Sequence, residues 1–379
     1  MATLIYNVTD LQNMKNDLAA DYELANDIDA CATLTWNGGL GFEPVGWNQA
    51  PGFAKFTGSF DGKGFTISNL YINRPTTTCS GLFGRVEGAG SVENVHLTNA
   101  DITGNYLIGA LVAVTYVDVK NCSSTGSVTG GAGGGGVGGL LGYAYGNVDE
   151  CWSSCTVIST TLDWAIGGLI GYAGLAAGEA VRLCYATGDV SAPDAEEVGG
   201  LIGDGGADVI NSYARGDVTG DQYVGGLVGT NSKTIDKCHS TGLVTGNSDE
   251  GGLCGLNTGT ITNSFWDTQT SGQAASSGGI GKTAAEMKVM ATFTSWNFAT
   301  IWAIVTACNN GYPCLLTVTP FCVISPIPDV PDSPRRTVDV EDITPLEAIR
   351  NIEMAARGRF YTDEEGKAVY KSRYGRNPL

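Results

Sequence analysis

A short block, Gly-Gly-Leu-aliphatic-Gly, recurs along the chain and leaves it few ways to fold. It stands at 138–142, 167–171, 199–203 and 225–229, and at 251–255 with Cys254 in the aliphatic place. Shorter copies stand at 81–84, 109–112 and 278–281. The central apolar residues are Leu82, Leu111, Leu140, Leu169, Leu201, Leu227, Leu253 and Ile280, at steps of 29, 29, 29, 32, 26, 26 and 27 residues. Self-similarity at such a period marks a solenoid or an array, in which each unit buries its apolar face against the next.

A second pattern fills the intervals: Val-x-x-Cys-x-x-Thr-Gly-x-Val-Thr-Gly at 119–130, repeated with Ile first at 235–246. One of its columns runs Val95, Cys122, Cys151, Cys184, Ser212, Cys238, Ser264; another runs Ile102, Val128, Val157, Val190, Val218, Val244, Thr270. Each repeat therefore carries short β-type runs between Gly, Asn, Asp and Ser turns, too short and too Gly-flanked for helices. The fold expected is all-β, a parallel β-helix with one coil of about 26–32 residues per repeat and like residues stacked at about 4.8 Å.

The same residues resemble a known family. The Gly-Leu-aliphatic-Gly block with Val-Thr-Gly between copies is similar to the GLUG-motif repeat of bacterial and phage surface proteins. Asp27-Ile28-Asp29 and the segment 56–64 (Phe-Thr-Gly-Ser-Phe-Asp-Gly-Lys-Gly) resemble the usual N-terminal flank of such repeats. Ser264-Phe265-Trp266-Asp267, Gly281-Lys282-Thr283 and Gly311-Tyr312-Pro313 resemble their usual C-terminal flank. The resemblance covers roughly 1–322 and implies architecture, not activity, because such repeats occur in adhesins, protease N-terminal regions and phage structural proteins.

The chain divides into an N-terminal cap with first coils at 1–79, repeats at 80–282, a C-terminal cap at 283–322, a Pro-rich linker at 323–343 and a tail at 344–379. In the first cap a helix is expected at Leu11–Leu18, capped from Val8-Thr9-Asp10, with strands around 22–28, 53–60 and 65–72. Thr283-Ala284-Ala285-Glu286 fits a capping box opening a short helix towards Met290. The linker is stiff, with Pro326, Pro328, Pro331 and Pro334. In the tail, Thr344-Pro345-Leu346-Glu347 opens a helix to about Arg357, and a hairpin turns at 363–366. This tail weakly resembles a segment of phage minor tail proteins. It is too small for a core of its own, so Phe360, Tyr361, Tyr370 and Tyr374 are candidate anchoring residues on a partner or on further copies.

Of 379 residues 55 are Gly, and the net charge is −18. Residues 1–328 hold 12 Lys and Arg against 29 Asp and Glu, and residues 329–379 hold 9 against 10. A surface this acidic repels phosphate backbones, so nucleic acid is not an expected partner. No run approaches the roughly 18 apolar residues of a membrane span. The first residues, Met1-Ala2-Thr3-Leu4-Ile5-Tyr6, lack the parts of a secretory signal, so a chain beginning here is not expected to leave by that route.

Of the eleven cysteines, Cys122, Cys151, Cys184 and Cys238 share one column of the repeat and are read as an inward ladder of free thiols behaving as small hydrophobes. Cys308 and Cys314 are the candidate bridged pair, with Cys322 as competitor. The only histidines, His96 and His239, hold neighbouring offsets in their repeats and are expected at the surface. There is no His-Glu-x-x-His and no Gly-x-Ser-x-Gly, and Gly278 to Thr283 lacks the first Gly of a P-loop.

The candidate ligand edge is acidic. Asp163, Glu197, Asp221 and Asp249 each precede a Gly-Gly-Leu block, and Trp164, with Trp152, stands near that edge. Stacking sets such carboxylates about 5 Å or about 10 Å apart, spacings that bracket those of glycosidase pairs. Calcium is the one candidate cofactor. Arg182, Arg215, Lys233 and Lys237 form no basic set with these acids for a lyase. The function expected is a structural or adhesive solenoid without enzymatic activity, on the surface of a virion or phage-tail-like particle. Its tail (344–379) holds a virion or tail protein, host-surface glycan is the candidate ligand, and the chain is a homo-oligomer. A bacterial cell-surface adhesin and a polysaccharide-cleaving tailspike are the alternatives.

Overall fold

The structure, a computed structural model, describes residues 2–47, 54–131, 133, 135–160, 163–306 and 309–317, and the backbone of 359–362 and 368–371. Within the first 317 residues the strands stack as the repeat demands, in parallel sheets of ten, fifteen, seven and seven strands. The two seven-stranded sheets each take one strand per coil. Their register pairs like with like: Ile166 with Val198 and then Val224, Ile170 with Ile202 and then Val228.

The Gly-Gly-Leu block is the corner between these two sheets. In one coil, Glu196–Gly199 ends a strand and Ile202–Gly205 begins the next. A Cβ on Gly199 would lie 1.9 Å from the carbonyl oxygen of Ile202, so the corner closes only around glycine. Leu201, between them, points inward and is fully buried, as are Leu82, Leu111, Leu140, Leu169, Leu227 and Leu253. The corner also continues the ladder, Leu169 N donating to Leu201 O at 3.0 Å. A second turn column sits in the left-handed region, at Asn94, Asn121, Glu150, Leu183, Asn211, Lys237 and Asn263. The residue after each faces the core, which places the whole column from Val95 to Ser264 inside.

Ile280 departs from the expectation. It pairs with Phe265 in a different sheet and is 50% exposed. Segment 275–281 instead folds over the last coil: Gly252 N donates to Ala275 O at 3.1 Å, and Ser276 Oγ accepts from Cys254 N at 2.9 Å. The Val128 column likewise ends at Val244, because Thr270 lies in a turn closed by Asp267, which accepts its N–H at 3.2 Å.

At the N-terminus the helix runs Val8–Asn13, earlier than expected. Its cap is Asn7, whose Oδ1 accepts from Thr9 N and Asp10 N, and Leu11 is its buried residue. Strands come next at Tyr22–Leu24, Ile28–Asp29, Phe60–Asp61, Thr66–Ser68 and Tyr71–Asn73. At the other end the capping box forms, Thr283 N donating to Glu286 Oε2 at 2.9 Å and Glu286 N to Thr283 Oγ1 at 3.3 Å. It opens only two short 3-10 turns, because Val289 adopts extended backbone and redirects the chain. Phe293, Trp296 and Trp302 then pack, with the antiparallel pair Trp302–Ile304 and Pro313–Leu315, against the flank of the fifteen-stranded sheet.

The expected helix from 344 and Tyr374 lie outside the described residues, as do Cys308, Cys322 and the linker. The hairpin is present, Arg359–Thr362 pairing antiparallel with Ala368–Lys371, so Phe360 and Tyr370 are cross-strand partners.

Candidate functional site

One corner of the solenoid changes length from coil to coil. The step from the Val128 column to the Ile166 column is six residues at Ile102 to Ile108 and nine at Val128 to Val137 and at Val157 to Ile166. It is eight at Val190 to Val198 and six again at Val218 to Val224. The extra residues project: Pro193 and Asp194 are exposed. Where the corner shortens, an open cleft of about 390 Å³ forms, lined by Asp163, Trp164, Asp194, Glu196, Glu197 and Asp221.

Four of the five ligand-edge residues read from the sequence, Asp163, Trp164, Glu197 and Asp221, thus come together. Asp249 does not line the cleft. It shares the left-handed column of Ala165, Glu197 and Tyr223, but one coil beyond Tyr223's, and its Oδ2 accepts from Gln222 Nε2 at 3.0 Å. Asp163 is buried and takes the hydroxyl hydrogen bond of Ser159. Asp221 Oδ1 accepts from Asn247 Nδ2 at 2.7 Å. Burial, then the charges of Asp204 and Glu196, pushes the Glu197 carboxyl up to about 7. Asp204 is also raised by burial, opposed by the hydrogen bond from Thr230 Oγ1 at 2.8 Å.

Trp164 is the near end of an aromatic surface that the sequence reading missed. Its ring lies 6.3 Å from that of Tyr172 and 5.9 Å from that of Tyr143. Tyr143 and Tyr172 are register partners on successive coils, 4.9 Å apart, and Asp204 comes after Tyr172 in that column. Tyr145 packs on Tyr172 at 5.9 Å and stacks on Tyr116 at 4.7 Å. Tyr116 is 42% exposed, with the Arg85 guanidinium over its ring at 4.9 Å. The neighbouring inward column held the signal, since Tyr143 and Tyr172 each stand one residue before an inward Ala144 or Ala173 and so face outward.

Trp152 is not at this edge. It comes after the inward Cys151 and faces out of the fifteen-stranded sheet, stacked on Tyr185 with ring centroids 5.6 Å apart. The same column holds both histidines: His96, Ser123, Trp152, Tyr185, Tyr213, His239, Phe265. His96 is half-buried, its Nδ1 2.9 Å from Ser123 Oγ. His239 is fully buried, contrary to the expectation of a surface residue, because the cap lies over it. Among the described residues no group of three or more His, Cys, Asp or Glu side chains is placed to hold a metal ion.

No protein-family model matches the chain. Halomucin of Haloquadratum walsbyi is 43% identical over 138 residues, which is 35% of this chain and 2% of halomucin. A "putative Gly-rich membrane protein" of Evansella cellulosilytica is 37% identical over 125 residues, 32% of this chain and 14% of that protein. The chain thus spans a small part of the relatives it matches. Among solved structures, a "putative immunoglobulin A1 protease" from Bacteroides ovatus superposes with a TM-score of 0.55 at 23% identity, over 83% of this chain and 92% of that one. The parallel solenoid is therefore shared with a known structure. The expectation of a chain without enzymatic activity is corrected by that finding, since the protein sharing the fold is described as a protease. At this identity the likeness shows the fold and assigns no reaction. None of these comparisons carries the GLUG or phage-tail resemblance.

Proposed function

We propose that this chain is a surface-displayed solenoid that binds glycans along the flank formed by Tyr116, Tyr145, Tyr172, Tyr143 and Trp164. The observation that carries the reading is the continuity of these rings across successive coils and their end in the acidic cleft. Aromatic side chains offer apolar surface to the C–H faces of sugar rings. Carboxylates beside them accept from sugar hydroxyls. The carboxylates of Asp163, Asp194, Glu196, Glu197 and Asp221 in one cleft select neutral or basic sugars and repel acidic ones. Display outside a cell or particle is supported by the name of the Evansella relative, a membrane protein, and by a fold whose ligand-facing groups recur along an extended axis.

The test is a glycan array probed with the whole chain, then calorimetry on the best neutral or amino-sugar ligand. Trp164→Ala and Tyr172→Ala should each weaken binding about tenfold, a loss of roughly 1.4 kcal/mol. An array with no bound glycan, or binding untouched by the double substitution, refutes the reading.

A further inference from the structure

A second cleft, of about 310 Å³, opens on the outer side of the fifteen-stranded sheet, bordered by Asn309 of the cap. Two rows of side chains meet in it. One is the aromatic row, in which Trp152, Tyr185 and Tyr213 stack with planes 1° and 3° from parallel. The other is polar. Ser154, Thr187 and Arg215 each come one residue after the inward Ser153, Ala186 and Ala214, which are register partners on successive coils. Successive strands lie about 4.8 Å apart, so these three groups form a row about 10 Å long.

The polar row is not used by the fold as the aromatic row is. Arg215 Nη1 donates to Asn309 Oδ1 at 2.6 Å, but Nε has no hydrogen-bond partner among the described residues. Arg215 forms no ion pair among them either, whereas Arg85 and Arg182 reach Glu87 and Asp149. A guanidinium without a carboxylate is notable in a chain of net charge −18. The hydroxyls of Ser154 and Thr187 line the cleft and make no side-chain hydrogen bond to the described residues. Asn309 also bonds within the cap, its Nδ2 donating to Pro313 O at 2.5 Å.

A guanidinium takes a carboxylate through paired N–H donors. Hydroxyls in a row pair with ligand hydroxyls. An aromatic wall covers a ring's C–H face. A neutral sugar would leave the guanidinium without a counter-charge, and a bare anion would leave the wall and hydroxyls unused. We propose that this cleft binds a carboxylate-bearing sugar residue, its carboxylate on Arg215, its hydroxyls on Thr187 and Ser154, and its ring against the half-buried Trp152. This site is separate from the acidic cleft and does not depend on it.

The experiment titrates the full chain by calorimetry with a short hexuronic-acid oligomer, the same oligomer as its methyl ester, and acetate. The acid should bind at least about tenfold more tightly than the ester, which loses the charge-assisted pair. Acetate should bind far more weakly than either. Arg215→Gln should bring the acid down to the ester's affinity, and Thr187→Val should weaken both by about threefold. Should Arg215→Gln release the cap, visible in tryptophan fluorescence, the Ser154→Ala/Thr187→Val pair takes its place with an expected loss of about tenfold. Acid and ester binding alike, neither binding at millimolar concentration, acetate matching the acid, or full acid affinity in a folded Arg215→Gln chain overturns the proposal.

Discussion

Tyr213 and His239 lie face to face, their ring centroids 5.0 Å apart and their planes 1° from parallel. The imidazole is one rung of an aromatic column, sealed by Trp296 and Trp302, with Nε2 3.0 Å from Pro313 O. Burial, aided by the Arg215 charge and opposed by the Pro313 bond, pushes its pKa down to about 3.

That shift sets a pH dependence with a definite sign. The unfolded chain takes up a proton at His239 below about pH 6.5, and the folded chain does not. The contribution of neutral His239 is therefore complete above pH 6.5 and is lost as pH falls towards 3, at up to about 1.4 kcal/mol per pH unit. Urea unfolding monitored by tryptophan fluorescence between about pH 7 and about pH 5 should show it, and His239→Phe should flatten the slope. An unchanged slope in His239→Phe would show that other groups carry the acid lability.

Glu197 acts in the opposite direction. Its carboxyl is held up to about 7, chiefly by burial, so the folded chain keeps a proton that the unfolded chain releases near 4.5. Its contribution to stability falls as pH rises between those values. Glu197→Gln should be more stable than the parent at about pH 8 and nearly equal to it at about pH 4. Equal stability at both pH values would count against a desolvated carboxyl in the cleft.

The corner leucines carry the coil. Leu201→Ala should cost about 2–5 kcal/mol in urea unfolding, the range for truncating a buried leucine. Leu169→Asp should open neighbouring coils, since it buries an unpaired charge, and limited proteolysis should then cut within 138–203 while sparing it in the parent. A loss under about 1 kcal/mol for Leu201→Ala would mean the corner is not packed as described.

The thiol column gives a chemical check. Cys122, Cys151, Cys184 and Cys238 are buried and unbridged, and Cys122 N points to Cys151 Sγ at 3.4 Å. Burial pushes the Cys238 thiol up to about 12 and the Cys122 and Cys184 thiols well above their usual value. Alkylation of the native chain should label the exposed Cys31 and spare the column. In urea without reductant the whole column should be labelled. Column thiols that react only after reduction would mean they are bridged.

The parts of the fold legible in the sequence are those that repeat. The inward columns recur at fixed offsets, so Leu82 to Leu253 and Val95 to Ser264 could be placed coil by coil. Four of the cleft residues were found because they precede a Gly-Gly-Leu block. Asp194 and Glu196 were missed because their proximity depends on a shortened corner, a property of the difference between coils. His239 and Trp152 were misplaced for a related reason. Both face outward from the sheet, and whether an outward residue meets water depends on where the cap docks, which no offset within a repeat records.

The cleft at Asp163 and Asp221 exists because one corner loses residues between neighbouring coils, while the inward columns on either side keep their register. Insertions and deletions at that corner leave the packed interior untouched. A chain of this kind can therefore move a groove along its axis, widen it or erase it by changes of two or three residues in a turn. Selection on its ligand can proceed through loop length alone, without first finding substitutions that the core would tolerate.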